Sequence, residues 1–111
     1  MGLTIEHLPG RTGHRSCLQI ENMLKQAAHE LPARQYRALM PLHAAINTSG
    51  IYPPHEFTPK QAAAARDALL ETAKRLDRHR DNHAAGWAEE ARDYATAADT
   101  AARSGKPWRW S

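Results

Sequence analysis

Side chains that build large cores or covalent cross-links are scarce in this chain of 111 residues. It has one cysteine, one phenylalanine, three tyrosines and three tryptophans. A single cysteine excludes an internal disulfide and gives no support to an oxidising compartment. No apolar run approaches the ~20 residues of a membrane span, and no basic-then-apolar signal pattern is visible. We therefore expect a cytoplasmic protein that has no membrane among its partners.

Alanine supplies the largest share of the hydrophobic residues, which make up 41% of the chain. Because large side chains are few, we expect a thin core in which helices approach each other closely through small residues. A length of 111 residues suits one domain with a core of its own.

The charge balance is mildly basic, with 15 Lys and Arg against 12 Asp and Glu and a net charge of +3. This excess falls short of the dense basic stripe that makes nucleic-acid binding the default interpretation. Arginine outnumbers lysine eleven to four, which fits a GC-rich genome as readily as phosphate recognition.

The two ends of the chain carry similar short patterns. Residues 3 to 7 alternate apolar and polar side chains, as a strand does, and so do residues 108 to 110. Two tryptophans lie in the last four residues, and a large aromatic buries about 150–250 Å². We therefore expect the tail to be docked, through Trp108 and Trp110, and to pair with residues 3 to 7 as a small two-stranded ribbon.

The first helical half begins at a capping signal. Ser16 followed three residues later by Gln19 is the spacing of a capping box. The apolar spacing then predicts a helix over residues 17 to 31, ended by Pro32, since a proline disfavours helix in the residue before it.

A second helical pattern covers residues 33 to 47 and is interrupted by Pro41. An interior proline removes a hydrogen bond and clashes with the preceding turn, so either a kink or a second short helix beginning at Pro41 is expected. Residues 51 to 57, with two prolines, read as an extended linker.

The clearest helix start is at Thr58, with Pro59 in the first helical position and Gln61 completing a capping box. Apolar residues then continue at helical spacing, apart from seven consecutive polar residues at 77 to 83. An antiparallel hairpin with its turn near Asp81 and Asn82 and one continuous helix both fit this spacing. We favour the hairpin, because globular helices average about 11–12 residues.

Together these patterns predict a mainly α fold, a four to five helix bundle with a small two-stranded β ribbon that pairs the N- and C-terminal segments. The expected single domain spans residues 1–111. Its segments are a strand and glycine loop (1–15), a first helical half (16–50), a proline linker (51–57), a helical hairpin (58–103) and a tryptophan-rich tail (104–111).

A glycine-containing loop that leads into the first helix is a candidate anion site. A helix N-terminus presents free N–H groups and a favourable dipole to an anion, and two arginines lie beside it. The spacing matches neither a Walker A loop nor a dinucleotide fingerprint, so an ordinary surface turn is the competing interpretation. The candidate residues are Arg11, Thr12, Gly13, His14, Arg15 and Ser16.

Two histidines, His79 and His83, stand four residues apart and would share a face of a continuous helix, as paired metal ligands do. A solvated polar turn is the simpler interpretation, and a hairpin turn here would separate the two rings. We expect no metal and no other cofactor. Cys17 falls in the apolar register of the first helix, which predicts packing rather than nucleophilic chemistry.

A basic surface is the last candidate. A nucleic-acid backbone and its bases suit a surface that has Trp108 and Trp110 as stacking platforms and five arginines, Arg34, Arg37, Arg75, Arg78 and Arg80. Acidic residues interleave with these arginines, so a mixed-charge solvated face is the alternative.

Three stretches carry a resemblance to other proteins, namely residues 8 to 14 (LPGRTGH), 57 to 61 (FTPKQ) and 105 to 111 (GKPWRWS). In these stretches the chain resembles small proteins of unknown function from GC-rich actinobacteria and their phages. The resemblance implies a bacterial or phage origin and no particular activity.

We therefore expect a non-enzymatic binding or regulatory module that acts through a protein partner. The alternative is a nucleic-acid or phosphate-ligand binding protein that uses the glycine loop at the start of the first helix. Self-association through an alanine-rich helix face is also left open.

Overall fold

The structure is a computed structural model, and it describes residues 2–9, 13–47, 55–79 and 81–111. The fold is mainly α, as predicted, with two small antiparallel sheets at the chain ends. Its elements in chain order are β1 (Gly2–Thr4), β2 (His14–Ser16), α1 (Cys17–Glu30), α2 (Ala33–Tyr36), a 3₁₀ turn (Arg37–Leu39), α3 (Met40–Asn47), β3 (His55–Phe57), α4 (Pro59–Leu76), α5 (Asn82–Ser104) and β4 (Trp108–Trp110).

The two longest helices form the predicted hairpin. The Thr58 hydroxyl accepts the Gln61 backbone N–H at 3.1 Å, and the Gln61 side chain accepts the Thr58 N–H at 2.9 Å, which confirms the capping box. Asp81 caps α5 by accepting the Ala84 N–H at 2.6 Å. Gly105, with a φ of 72°, ends α5 in the left-handed region that favours glycine.

Alanines fill the interface between α4 and α5. The two helices pack along each other, and their buried positions are mostly alanine, which allows the close approach expected from the composition. The fully buried alanines of the pair, at 0% exposure, are Ala62, Ala65, Ala88, Ala91, Ala97, Ala98 and Ala101.

The first helical half follows the predicted boundaries closely. Ser16 caps α1 by accepting the Gln19 N–H at 3.1 Å, and α1 ends one residue before the predicted Leu31. The interruption at Pro41 is confirmed, because a 3₁₀ turn separates α2 from α3. The new helix begins at Met40, which places Pro41 in its first turn, where a missing N–H costs little.

The chain ends pair with each other, as predicted, and each also has a strand partner that was not expected. Backbone N–H groups of Thr4 and Ser111 bond each other's carbonyls at 2.7 and 3.0 Å, and Ile5 bridges Trp110. The longer ladder of β1, however, is with β2, the next strand along the chain.

The ladder of β4 is with β3, in a segment predicted as linker. Phe57 is fully buried against Trp108, with ring centroids 5.3 Å apart, and this packing draws the end of the predicted linker into a strand. The two prolines of residues 51–57 indicated a linker and gave no sign of a strand.

Both tail tryptophans lie in the core at 0% exposure. Trp108 donates its indole N–H to the Glu6 carbonyl at 2.9 Å, and Trp110 packs edge-on against Tyr94 at 5.8 Å. The tail therefore packs against α5. Within the described ranges, no helix has both the length and the apolar character to cross a membrane.

Candidate functional site

The predicted anion loop is positioned as part of a hairpin rather than as a free helix entrance. His14 to Ser16 form β2, and Gly13, at a φ of 65°, precedes them where a side chain would meet the Ile5 carbonyl at 3.1 Å. Arg11 and Thr12 lie outside the described residues. Of the predicted set, the described residues are therefore Gly13, His14, Arg15 and Ser16.

Arg15 faces carboxylates. Its Nε donates to Glu90 Oε1 at 2.9 Å, and its Nη2 lies 4.0 Å from Asp93 Oδ2. A further N–H donates to the His14 carbonyl. The guanidinium is therefore directed toward two acidic side chains of α5, which sequence reasoning missed because 75 residues separate Arg15 from Glu90.

A groove lies beside this ion pair, between the start of α1 and the first half of α5. We call it the α1–α5 groove. It encloses about 310 Å³ and is lined by Gln19, Asn82, His83, Gly86, Trp87 and Glu90. α1 contributes Gln19 to this lining, and α5 contributes the other five residues.

Trp87 is the apolar centre of the groove. It is half-buried and packs against the core on one side. Its indole N–H donates to His83 Nε2 at 2.9 Å, one helical turn away, and the two rings stand nearly perpendicular at 81°. This bond engages the N–H edge of the indole ring.

His83 also lines a smaller hollow of about 190 Å³ next to the turn between α4 and α5. There His79 Nε2 lies 2.6 Å from Glu30 Oε1, which ties the turn to the end of α1. His29 and Asp81 also line this hollow.

The predicted histidine pair does not converge on one point. His79 meets Glu30, whereas His83 accepts from Trp87, so the two imidazoles have different partners. Across the described ranges, no three His, Cys, Asp or Glu side chains are placed to hold a metal ion.

The other candidate residues of the sequence analysis are engaged in packing or in ion pairs. Trp108 and Trp110 are buried, so neither presents a ring face to a base. Arg75, a member of the basic surface, donates to Glu71 Oε1 and to the Glu30 carbonyl, both at 2.9 Å. Cys17 is half-buried against the core.

A wider hollow of about 470 Å³ lies between α4 and α5, around Leu70. Its charged side chains satisfy each other, since Asp99 accepts from Arg66 and from Arg103, both at 2.8 Å. The threonines that line it bond backbone carbonyls one turn away. No aromatic side chain is among the described residues that line this hollow, whereas Trp87 lines the α1–α5 groove, so the groove is the better candidate for binding.

Two ionisable side chains near Glu90 have raised pKa values. Burial raises the pKa of Asp93 above its ordinary value, and the neighbouring Glu90 carboxylate adds to the rise, while Arg15 opposes it. Burial also raises the pKa of the Tyr94 hydroxyl, again with a contribution from Glu90. The Tyr94 hydroxyl lies near Glu90 but makes no hydrogen bond of ordinary geometry.

Replacing Asp93 with asparagine should raise the melting temperature Tm at pH 7. A raised pKa in the folded state means that the protonated form is favoured there. Its stabilising effect is complete below the unfolded pKa and is lost as the pH rises through the folded pKa. The neutral amide removes that loss, so the gain over wild type should vanish below about pH 3.

Asp99→Asn is the matched control for this experiment, measured by thermal unfolding between pH 3 and pH 7. The Arg66 and Arg103 guanidinium groups lower the pKa of Asp99, so its ionised form stabilises the fold and the amide should lower Tm at pH 7. A decrease in Tm for both variants at pH 7 would contradict the assignment for Asp93.

Comparison with curated proteins and with solved structures finds no match to this chain. One family model does match, over residues 9–111, which is nearly the whole chain. The chain therefore belongs to the family described as Domain of unknown function (DUF7739).

Proposed function

We propose that the protein is a non-enzymatic binding module and that the α1–α5 groove receives a segment of a protein partner. The observation that carries the proposal is a helical glycine, Gly86, next to the half-buried Trp87. The groove's ionisable groups are engaged in Arg15–Glu90 and His83–Trp87 contacts, which suits binding rather than proton transfer.

Gly86 lines the groove at a cost in helix stability. Glycine inside a helix is about 0.5–1 kcal/mol less favourable than alanine. A Cβ at position 86 would have nothing within 4 Å, so no close contact in the fold requires glycine there. The surface beside Trp87 is open at this position.

Trp87 supplies the anchor. Tryptophan is enriched among the residues that dominate binding energy at protein interfaces, usually at the centre of a desolvated pocket. Trp108 and Trp110 are used in the core, whereas Trp87 lines the groove. A partner segment that covers the Trp87 ring would bury its apolar area, while the indole N–H remains bonded to His83.

The phosphate or nucleic-acid alternative receives less support from the same geometry. An anion at Arg15 would stand beside the carboxylates of Glu90 and Asp93 and would be repelled by them. A bacterial or phage origin and a cytoplasmic location, which the sequence suggests, belong to the proposal as well.

The groove can be tested by selecting displayed peptides on the wild-type protein alone and then comparing their binding to Gly86→Leu. The leucine should fill the space beside Trp87, so groove-binding peptides should lose at least about tenfold in affinity, the equivalent of one lost anchor. Enriched peptides are then titrated against each variant by calorimetry.

Ala85→Leu is the matched control, because position 85 is exposed on the same helix and does not line the groove. It should bind the selected peptides as wild type does. Selected peptides that bind Gly86→Leu and wild type equally, or a selection that enriches nothing, would overturn the proposal.

A further inference from the structure

We propose that protonation of His83 releases the Trp87 ring, so that the α1–α5 groove binds its partner segment more weakly in mild acid than at pH 8. The proposal rests on the proposed function and names a regulation of the same site. It is carried by the direction of one hydrogen bond and by the exposure of the imidazole that accepts this bond.

The hydrogen bond between Trp87 and His83 can run in one direction only. The indole N–H donates and cannot accept, and its nitrogen lies 2.9 Å from His83 Nε2. His83 must therefore present a lone pair at Nε2, and a neutral imidazole has such a lone pair on one of its two nitrogens. The bond thus requires neutral His83 in the tautomer that carries its proton on Nδ1.

A proton on Nε2 removes this acceptor. An imidazolium donates from both nitrogens, so two N–H groups would point at each other. The edge of an aromatic ring also carries partial positive charge, which disfavours a cation in that position. The two rings stand at 81° with their centroids 5.9 Å apart, an arrangement that suits the bond and not the cation. Once His83 is charged, Trp87 therefore loses the contact at its N–H edge.

The position of His83 makes this contact sensitive to the pH of the solvent. His83 is exposed, so a proton reaches its ring without any opening of the fold. Histidine is the side chain whose charge ordinarily changes between about pH 5 and pH 8. Because His83 and Trp87 both line the groove, a proton taken up at its surface acts directly on the proposed anchor.

Other titratable side chains line the groove or the hollow next to it, and they do not replace His83 in this role. His79 lies 2.6 Å from Glu30 Oε1, so a proton on His79 strengthens that contact instead of breaking it. The full set that faces His83 is His29 and Glu30 of α1, His79 of the turn, Asp81 at the start of α5, and Glu90.

Loss of the bond should lower the affinity of the groove, because a partner must then order a ring that is free to move. Immobilising such a side chain costs conformational entropy on binding. We expect peptides selected on the groove to bind about two- to tenfold more weakly at pH 5 than at pH 8, the effect of one hydrogen bond. Peptides without histidine are used, and their affinities are measured by calorimetry.

The hydrogen bond is tested by NMR without any ligand. Spectra of the ¹⁵N-labelled protein between pH 8 and pH 5 follow the Trp87 indole N–H and the two ring nitrogens of His83. These signals are assigned with Trp87→Phe and His83→Gln. At pH 8 the His83 Nε2 should have the chemical shift of a nitrogen without a proton. The indole proton should then move to lower chemical shift in step with the protonation of His83.

His83→Gln separates the charge from the bond, because glutamine offers an acceptor that gains no proton in this range. In this variant, the indole resonance and the peptide affinity should both become independent of pH. His79→Gln is the matched control, since His79 lines the same hollow and contacts Glu30. It should keep the pH response of wild type. Circular dichroism at both pH values confirms that the variants remain folded.

The opposite results can be told apart. A proton on His83 Nε2 at pH 8, or an indole resonance that does not follow His83, would overturn the inference. A pH response that persists in His83→Gln or disappears in His79→Gln would also overturn it. Peptides that bind the groove equally well at pH 5 and pH 8 would overturn the regulation and leave the proposed function standing. A selection that enriches nothing would overturn both.

Discussion

Trp110→Ala is expected to lower the free energy of unfolding by about 3–5 kcal/mol, the range for truncating a buried large aromatic. Trp110 is fully buried between Tyr94 and Trp108, with ring centroids 5.8 and 5.2 Å away. Its backbone pairs with His55 and bridges Ile5, so the ring lies where both chain ends meet the helices. Small domains have about 5–15 kcal/mol in total, so the loss is a large fraction.

The loss is measured by denaturant unfolding followed by far-ultraviolet circular dichroism. Trp87→Ala is the control, because Trp87 is half-buried at the groove and should cost clearly less than Trp110→Ala. Trp110→Phe, which retains a ring, covers the case in which the alanine variant does not fold and should fall between wild type and Trp110→Ala. Equal losses for Trp87→Ala and Trp110→Ala would contradict the docked tail.

Ala98→Leu should destabilise the protein by about 1–3 kcal/mol, the usual result of forcing extra methylene groups into a filled core. Ala98 is fully buried on α5, the helix that packs along α4. Neighbouring buried positions on α5, such as Ala91 and Ala95, are also alanine. With small side chains in contact, the two helices have little room to accept a larger one without moving apart.

This destabilisation is measured in the same unfolding experiment. Ala85→Leu serves again as the control, because position 85 is exposed on the same helix and leucine is a good helix former. It should change the free energy of unfolding by less than about 0.5 kcal/mol. An Ala98→Leu variant as stable as Ala85→Leu would show that the helices are not packed through alanine.

The helices were predictable because their signals are local. The cap at Thr58 is formed by residues three positions apart, and the break at Pro41 follows from the chemistry of one residue. The hairpin rather than one long helix was also favoured, because globular helices average about 11–12 residues. In each case the interacting groups are neighbours in sequence, so their spacing carries the information.

The sheet partners were not predictable in the same way. The meeting of the two chain ends was expected from their alternation, but the ladder of β4 is with His55–Phe57, which precedes it by about half the chain. Three-residue strands have too few positions for a periodic pattern to specify a partner. The pairing accompanies the burial of Phe57 against Trp108, a contact between residues far apart in the chain.

The candidate site shows the same limit. Sequence reasoning selected Arg15 as an anion ligand from its position before α1, and it gave no role to Glu90 or Trp87. An acidic pair three residues apart on a predicted helix, with tryptophan three residues earlier, was the available signal. This signal was not recognised, because nothing in the sequence showed that Arg15 would lie against that face of α5.

By itself, the sequence determined the helix boundaries, the alanine-based core and the burial of a tryptophan-rich tail, because capping and apolar spacing act over a few residues. Only the tertiary structure decided which strands pair, which tryptophan stays at a groove and which charges meet Arg15. These depend on contacts between residues far apart in the chain, such as Arg15 and Glu90, whose proximity no local spacing encodes.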